Sequence, residues 1–327
     1  VLMNQIVRIA LYGALSAVSL IFLSTFSMAL AAGTWTQNSR MAVGGILLQA
    51  ASDGSNIYVA GGSSITGPKA SFDLYDTVND QWRPLPPMPT ARERFGMAAF
   101  SGRIYVSGGQ ARDVDEDTLS TSAALWIFDT VSSDWFLKAD MPTQRVDHVM
   151  VNCEDKLYVL GGTGEFSNRI YIYDPAEDKW ITAGATMKTP RKNFAVARDG
   201  ALIYLVGGIT AGGKLLGDVD VFDTVAQTWT SRASLPKPRA GLAVAVIDGR
   251  LHVAGGSTPD PAQTFNEHLS LGAGENAWRT EPELPTARHS MAYALAGNKW
   301  YVMGGGSAAG FYTLFSAADA VESYDIN

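Results

Sequence analysis

Five arginines, Arg92, Arg145, Arg191, Arg239 and Arg288, recur along the chain, and the two residues after each change from copy to copy. The pairs are Glu93-Arg94, Val146-Asp147, Lys192-Asn193, Ala240-Gly241 and His289-Ser290. They offer carboxylates, cations, an imidazole, an amide and a hydroxyl, the groups that exchange protons or hold a charged ligand. The repeated arginine meets a need that every copy shares, and its five fixed donors suit backbone carbonyls. Ligand selectivity belongs to the varied positions. Other chemistry is thin. The four histidines, His148, His252, His268 and His289, form no H-E-x-x-H pattern, and there is no G-x-S-x-G elbow. The acidic run Asp113, Asp115, Glu116 and Asp117 lacks the glycine and closing glutamate of a calcium loop. The single cysteine, Cys153, has no partner for a disulfide and reads as a small half-buried residue near a turn. No metal and no cofactor is implied.

The elements that carry these residues repeat. Six Gly-Gly pairs, beginning at Gly61, Gly108, Gly161, Gly207, Gly255 and Gly304, are separated by 47, 53, 46, 48 and 49 residues. A fixed period near 50 means one structural unit copied around an axis. Counted from the first glycine, Tyr58, Tyr105, Tyr158, Tyr204, His252 and Tyr301 stand three residues before it, and the five arginines stand sixteen before. The first repeat reaches an arginine, Arg40, only at twenty-one, so five extra residues are expected near Gln49–Asn56. Downstream comes an aromatic-Asp step, as in Tyr75-Asp76 and Phe128-Asp129, and six residues later a tryptophan, Trp82, Trp135, Trp180 or Trp229. The apolar runs are four to six residues long and are broken by Gly, Asp, Asn, Ser or Pro turns, so each unit reads as four short strands.

Gly-Gly pairs in register with Arg, Tyr, aromatic-Asp and Trp resemble the kelch repeat, which builds one four-stranded propeller blade per copy. The resemblance covers residues 33–327 and implies an all-β, six-bladed propeller with four antiparallel strands per blade. The expected blades are about 39–87, 88–140, 141–187, 188–235, 236–284 and 285–327, the last completed by residues 33–37 with the spare Trp35. Such closure leaves no open edge in the ring.

In peptide-binding kelch propellers the two positions after the arginine and the loop after Gly-Gly form a pocket on one face. By that resemblance the pocket collects Glu93, Arg94, Asp147, Lys192, Asn193, His289 and Ser290, rimmed by Gln110, Arg112, Thr163, Glu165, Thr210, Ser257, Thr258 and Ser307. Phe265, Phe311, Tyr312 and Phe315 lie on the long loops and could stack on a sugar or a peptide. Two function classes stay open. One is a binding module for a protein, peptide or glycan. The other is an enzyme similar to N-acetylneuraminate mutarotase, with Glu93, Asp147 or His289 as acid and base and Arg94 or Lys192 on a substrate carboxylate. A copper radical oxidase of the galactose oxidase type needs a Cys–Tyr crosslink that Cys153 is badly placed to supply.

Residues 1–31 differ in kind. Arg8 is their only charge, Ile9–Leu23 is almost wholly apolar, and Ala29-Leu30-Ala31 is a small-x-small site. That is the layout of a secretory signal peptide, so export to a periplasm or medium is expected, with an uncleaved membrane anchor as the alternative. A disulfide-free exported chain fits either compartment. The net charge of −7, with 25 basic against 32 acidic residues and no basic stretch, argues against a nucleic-acid partner. After cleavage a monomer with no membrane contact is expected.

Overall fold

The computed structural model describes residues 33–113 and 118–325. Among them lie six four-stranded antiparallel sheets. Blade two shows the pattern, with strands Gly96–Phe100, Arg103–Ser107, Leu125–Asp129 and Asp134–Lys138 running from the axis outward. The inner strands of neighbouring blades touch all the way round, so the sheets form a closed ring. Blade six takes its outer strand, Thr34–Gln37, from the other end of the chain, and Trp35 faces Tyr324 across that pairing. The expected propeller and its closure by the amino-terminal strand are what the structure shows. The one helical segment among the described residues is a 3-10 turn, Gly310–Ser316, in the long loop of blade six. None of these residues forms a helix long and apolar enough to cross a membrane. The expected signal peptide, residues 1–31, lies outside the described residues.

The repeated residue types each satisfy a local demand. The aromatic of the aromatic-Asp step is buried and stacks on the following tryptophan, with centroids 4.9 Å apart in Tyr75–Trp82 and Phe222–Trp229 and 5.0 Å in Tyr173–Trp180. The Asp caps the turn to the outer strand. Asp76, for example, accepts from the amides of Val78 and Asn79, each at 3.0 Å. The indole N–H then crosses to the preceding turn of the ring. Trp135 donates to Pro86 O at 3.1 Å and Trp180 to Ala139 O at 2.7 Å. Apolar cores accordingly sit between blades, as where Phe72 and Tyr58 of blade one meet Phe95 and Phe128 of blade two. At the hairpin turn of blade five, Asp248 and Gly249 have φ of 48° and 72°, the left-handed pair that a two-residue turn needs.

The arginines are structural. Arg92, Arg145, Arg191, Arg239 and Arg288 are almost wholly buried, and each donates from Nη1 to the carbonyl of the first glycine sixteen residues on, at 2.8 to 3.3 Å. Three are also paired with acids, Arg191 with Asp220, Arg239 with Glu267 and Arg288 with Glu322. Arg145 instead lies over the Tyr171 ring, 4.2 Å from its centroid.

Blade one corrects the sequence reading. Arg40 is exposed and pairs with Asp319 at the surface. There are no extra residues near Gln49–Asn56. Met41 takes the slot twenty residues before the first glycine that Met88, Met141, Met187, Leu235 and Leu284 hold elsewhere, and its amide makes the same bond to the preceding blade. Gly45 therefore stands in the arginine slot. Its carbonyl accepts from Gly305 N at 2.8 Å, as Arg145 O accepts from Gly109 N. Asp73 occupies the place of Asp220 and Glu322 in the sheet but meets no guanidinium, and burial raises its carboxyl above the ordinary range.

These contrasts set an expected result. Arg288→Ala should cost about 3–5 kcal/mol in denaturant unfolding, because Glu322 is left charged and buried. Asp73→Asn should be neutral or slightly stabilising, since it discharges a half-buried group without an ionic partner. A loss on Asp73→Asn comparable with that of Arg288→Ala would refute the assignment of an unfilled arginine slot.

Candidate functional site

The residue just after each arginine slot is fixed by a backbone bridge to the segment following Gly-Gly. The pairs are Ile46 with Ser63, Glu93 with Gln110, Val146 with Thr163, Lys192 with Ile209, Ala240 with Ser257 and His289 with Gly306. The next residue enters the left-handed region in every blade. Leu47, Arg94, Asp147, Asn193, Gly241 and Ser290 have φ between 51° and 64°. Side chains other than glycine hold this conformation at a cost of about 1–3 kcal/mol, so five of them in register with Gly241 mark a built feature. Their backbones link blade to blade around the axis. Leu47 N donates to Ser290 O at 3.0 Å, Asp147 N to Arg94 O at 2.8 Å, Gly241 N to Asn193 O at 2.8 Å and Ser290 N to Gly241 O at 2.7 Å. Gly241 is required here, because a Cβ would stand 2.9 Å from Ser290 N.

This ring separates two spaces. Above it a cup of about 540 Å³ opens on the loop face, and below it a cavity of about 520 Å³ follows the axis. Both share Leu47, Arg94, Asn193, Gly241 and Ser290 in their walls. Within the axial cavity the Tyr293 hydroxyl of blade six reaches the inner strand of blade four, where it accepts from Val196 N at 2.9 Å and donates to Val196 O at 3.2 Å.

Of the residues assigned from sequence, Glu93, Arg94, Asn193, Ser257, Thr258, His289 and Ser290 line the cup. Asp147 lines the axial cavity and turns its carboxylate to Arg94. Lys192, Gln110, Thr163, Glu165, Thr210 and Ser307 are not in the cup wall. The Arg112 side chain lies outside the described residues, as do positions 114–117 of the acidic run and the Phe311 and Tyr312 side chains. Phe265 is no stacking platform. It is buried, with the Arg239 guanidinium 4.0 Å from its centroid, because the arginine needs a cover on that side. Cys153 is fully buried, with Sγ 3.3 Å from Gly200 O.

The site's charges are spent on each other. Arg94 Nε donates to Glu93 at 3.2 Å and Nη1 to Asp147 at 3.3 Å. Burial raises the Asp147 carboxyl, opposed by Arg94 and Lys192. His289 is buried, which lowers its pKa and keeps it neutral, and its Nδ1 and Nε2 each meet an oxygen, Ser290 Oγ and Ala308 O, at 3.1 Å. Sequence reasoning missed the apolar part of the cup, Ile46, Leu47, Ile65, Leu119 and Ile209. The misplaced first arginine hid Ile46-Leu47. The methionine twenty residues before Gly61 was the pattern that could have placed them.

Arg94 is thus more than an exposed loop charge. Arg94→Ala should lower stability by about 1–3 kcal/mol, because two mostly buried carboxylates then face each other unpaired. Lys192→Ala should stay within about 0.5 kcal/mol. Equal effects in a urea titration would show that the Glu93–Arg94–Asp147 cluster has no structural role.

Comparison with known proteins places this architecture among relatives. The family model described as the KLHDC2/KLHL20/DRC7 Kelch-repeats domain matches residues 47–256 and 148–325. Kelch-like protein 40 of Xenopus tropicalis is 29% identical over 211 residues, covering 62% of this chain and 34% of that protein. Beta-scruin of Limulus polyphemus is 29% identical over 248 residues, covering 71% of this chain and 27% of that protein. The chain spans about a third of the length of the curated relatives it matches. The solved structure of YjhT superposes with a TM-score of 0.75 at 18% identity, covering 87% of this chain and 96% of that one, a likeness of fold.

Proposed function

Because this chain belongs to the kelch-repeat family, we propose that it is a binding propeller whose loop face receives a protein or peptide segment. The observation that carries this reading is the state of the cup's ionisable groups. Glu93 is paired with Arg94, which also holds Asp147 of the axial cavity, and both ring nitrogens of His289 are engaged. A mutarotase needs a free acid and a free base facing the sugar ring. A binding face needs a broad, wetted mouth with apolar anchors. Ile65, 70% exposed, and Leu119, 53% exposed, stand on hairpins at the cup and supply such anchors. The unspent Asn193 amide and the half-exposed Arg94 head give it polar contacts. A glycan could use the same mouth, and mutarotation of an acidic sugar remains the second reading. Export, with cleavage after Ala31, is part of the proposal and rests on the composition of residues 1–31.

The test is a thermal-shift and calorimetric screen of envelope peptides, neutral glycans and acidic sugars, with anomer exchange of each sugar followed by NMR. A peptide or protein hit should weaken at least tenfold with Ile65→Asp or Leu119→Asp at unchanged melting temperature, because each puts a charge at the mouth in place of an apolar contact. Anomer exchange that is abolished by Glu93→Gln would overturn the binding reading in favour of the enzyme.

A further inference from the structure

The seam between blades five and six, sealed by the strand Thr34–Gln37, is built from different residues than the other seams. At the slot three before the first glycine every other blade has tyrosine, and blade five has His252. On the third strand, facing the residue just before Gly-Gly, blades one, two, four and six have Phe72, Leu125, Val219 and Val321, and blade five has His268. Both imidazoles are buried, at 4% and 0% exposure, and His252 Nδ1 lies 2.9 Å from His268 Nε2.

The hydrogen bonds assign the tautomers. His268 Nδ1 is 3.1 Å from Pro282 O, which can only accept, so Nδ1 carries the proton. His268 Nε2 is then a bare lone pair, and His252 Nδ1–H donates to it. Pro282 O also accepts from Trp35 Nε1 at 2.9 Å, so one carbonyl holds both the histidine pair and the closing strand. The His268 ring packs edge-on against Tyr324 at 4.6 Å and touches Trp35 at 5.5 Å.

We propose that the His252–His268 pair is an acid-sensitive latch on the closing strand: when both imidazoles are protonated, Thr34–Gln37 leaves the blade five–blade six seam and the ring opens. The first proton is accommodated. It goes to His252 Nε2, leaves the Nδ1–H···Nε2 bond intact, and is favoured by the charges of Glu281 and Asp248 and opposed by Arg250. Arg250 is held away by Glu275 and Ser270, and Ser270 in turn donates to Glu281. The second proton must take the His268 lone pair. Two N–H groups would then point at each other across 2.9 Å, on two cations. Blade six faces the pair with Trp35, Trp300 and Tyr324, none of them charged, since burial holds the tyrosine's pKa up to about 12. Separation of the seam relieves both the contact and the desolvation.

Burial holds His252 down to about 4 and His268 down to about 3, against an ordinary 6.5. Folded values below the unfolded one mean that the unfolded seam binds protons more readily. The pair's contribution is complete above the ordinary value and is lost as the pH falls from there toward the folded values. His148, held to about 3 and bonded to Ser107 between blades two and three, gives the same acid sensitivity away from the closing strand and serves as an internal control.

The experiment is hydrogen exchange by mass spectrometry on the full chain from pH 7 to 4, corrected for intrinsic rates. It compares the native chain with His252→Tyr/His268→Val, which restores the residue types of the other blades. In the native chain, protection of Thr34–Gln37 should fall by about tenfold per pH unit for each proton taken up on opening, and before that of the blade-four strand Ala195–Asp199. In the variant the two segments should lose protection together at lower pH. If the double variant fails to fold, His268→Gln, which keeps a neutral donor, reads the same difference. Thr34–Gln37 staying protected until Ala195–Asp199 is lost, or identical pH profiles for native chain and variant, would overturn the latch.

Discussion

In five of the six blades a buried guanidinium donates to the carbonyl of the first glycine in the Gly-Gly pair, and the loop face is set by that bond. It ties the segment entering a blade to the end of the second strand. The glycine must adopt positive φ to present its carbonyl there, and a Cβ at Gly61 would stand 2.6 Å from Arg92 O of the next blade. A charge so buried tolerates no gap in its partners, so acids, carbonyls or an aromatic face gather around each one. With the arginine anchored, the next residue is committed to the backbone bridge and the one after it to the left-handed turn at the axis. The same anchoring that stabilises a blade thus aims two variable side chains at the mouth.

That geometry bears on function through what it leaves unsatisfied. The ring of left-handed residues spends its backbone groups on neighbouring blades, and the cup's charges spend themselves on one another. What remains for a ligand is shape, exposed apolar hairpins and a few polar contacts. Those are the terms of a recognition surface, where a few anchors carry most of the affinity. Blade one departs from the rule by placing Gly45 in the arginine slot, and the Lys69 ammonium there donates to Gly44 O at 2.9 Å.

The closing seam shows the same logic turned around. Apart from His148 between blades two and three, the other seams are joined by aromatic packing and indole-to-carbonyl bonds that no ordinary pH disturbs. At the seam that the amino-terminal strand seals, a pair of neutral imidazoles takes the place of tyrosine and aliphatic packing, so a join without covalent continuity is also one whose stability titrates.

The repeat was legible in the sequence because every blade solves the same local problems with the same residue types. Positive φ calls for glycine, the turn to the outer strand calls for Asp, and the gap between sheets calls for a Tyr–Trp pair. Those demands act over a few residues and so leave a pattern that repeats at fixed spacing. They decided the fold class, the blade count and the structural role of the arginines. Blade one was not legible in the same way, because Gly45 stands where the other blades have arginine, Arg40 lies five residues too early, and the repeated spacing is carried by Met41 alone. Which varied residues meet was beyond a sequence reading. Arg94 and Asp147 are 53 residues apart, and Val196 and Tyr293 are 97 apart, each pair joined only when the ring closes. Burial decided the rest. It made Phe265 a cover for Arg239, kept His289 neutral and left Lys192 outside the cup, because desolvation depends on everything packed around a group and on nothing that its own neighbours in the chain reveal.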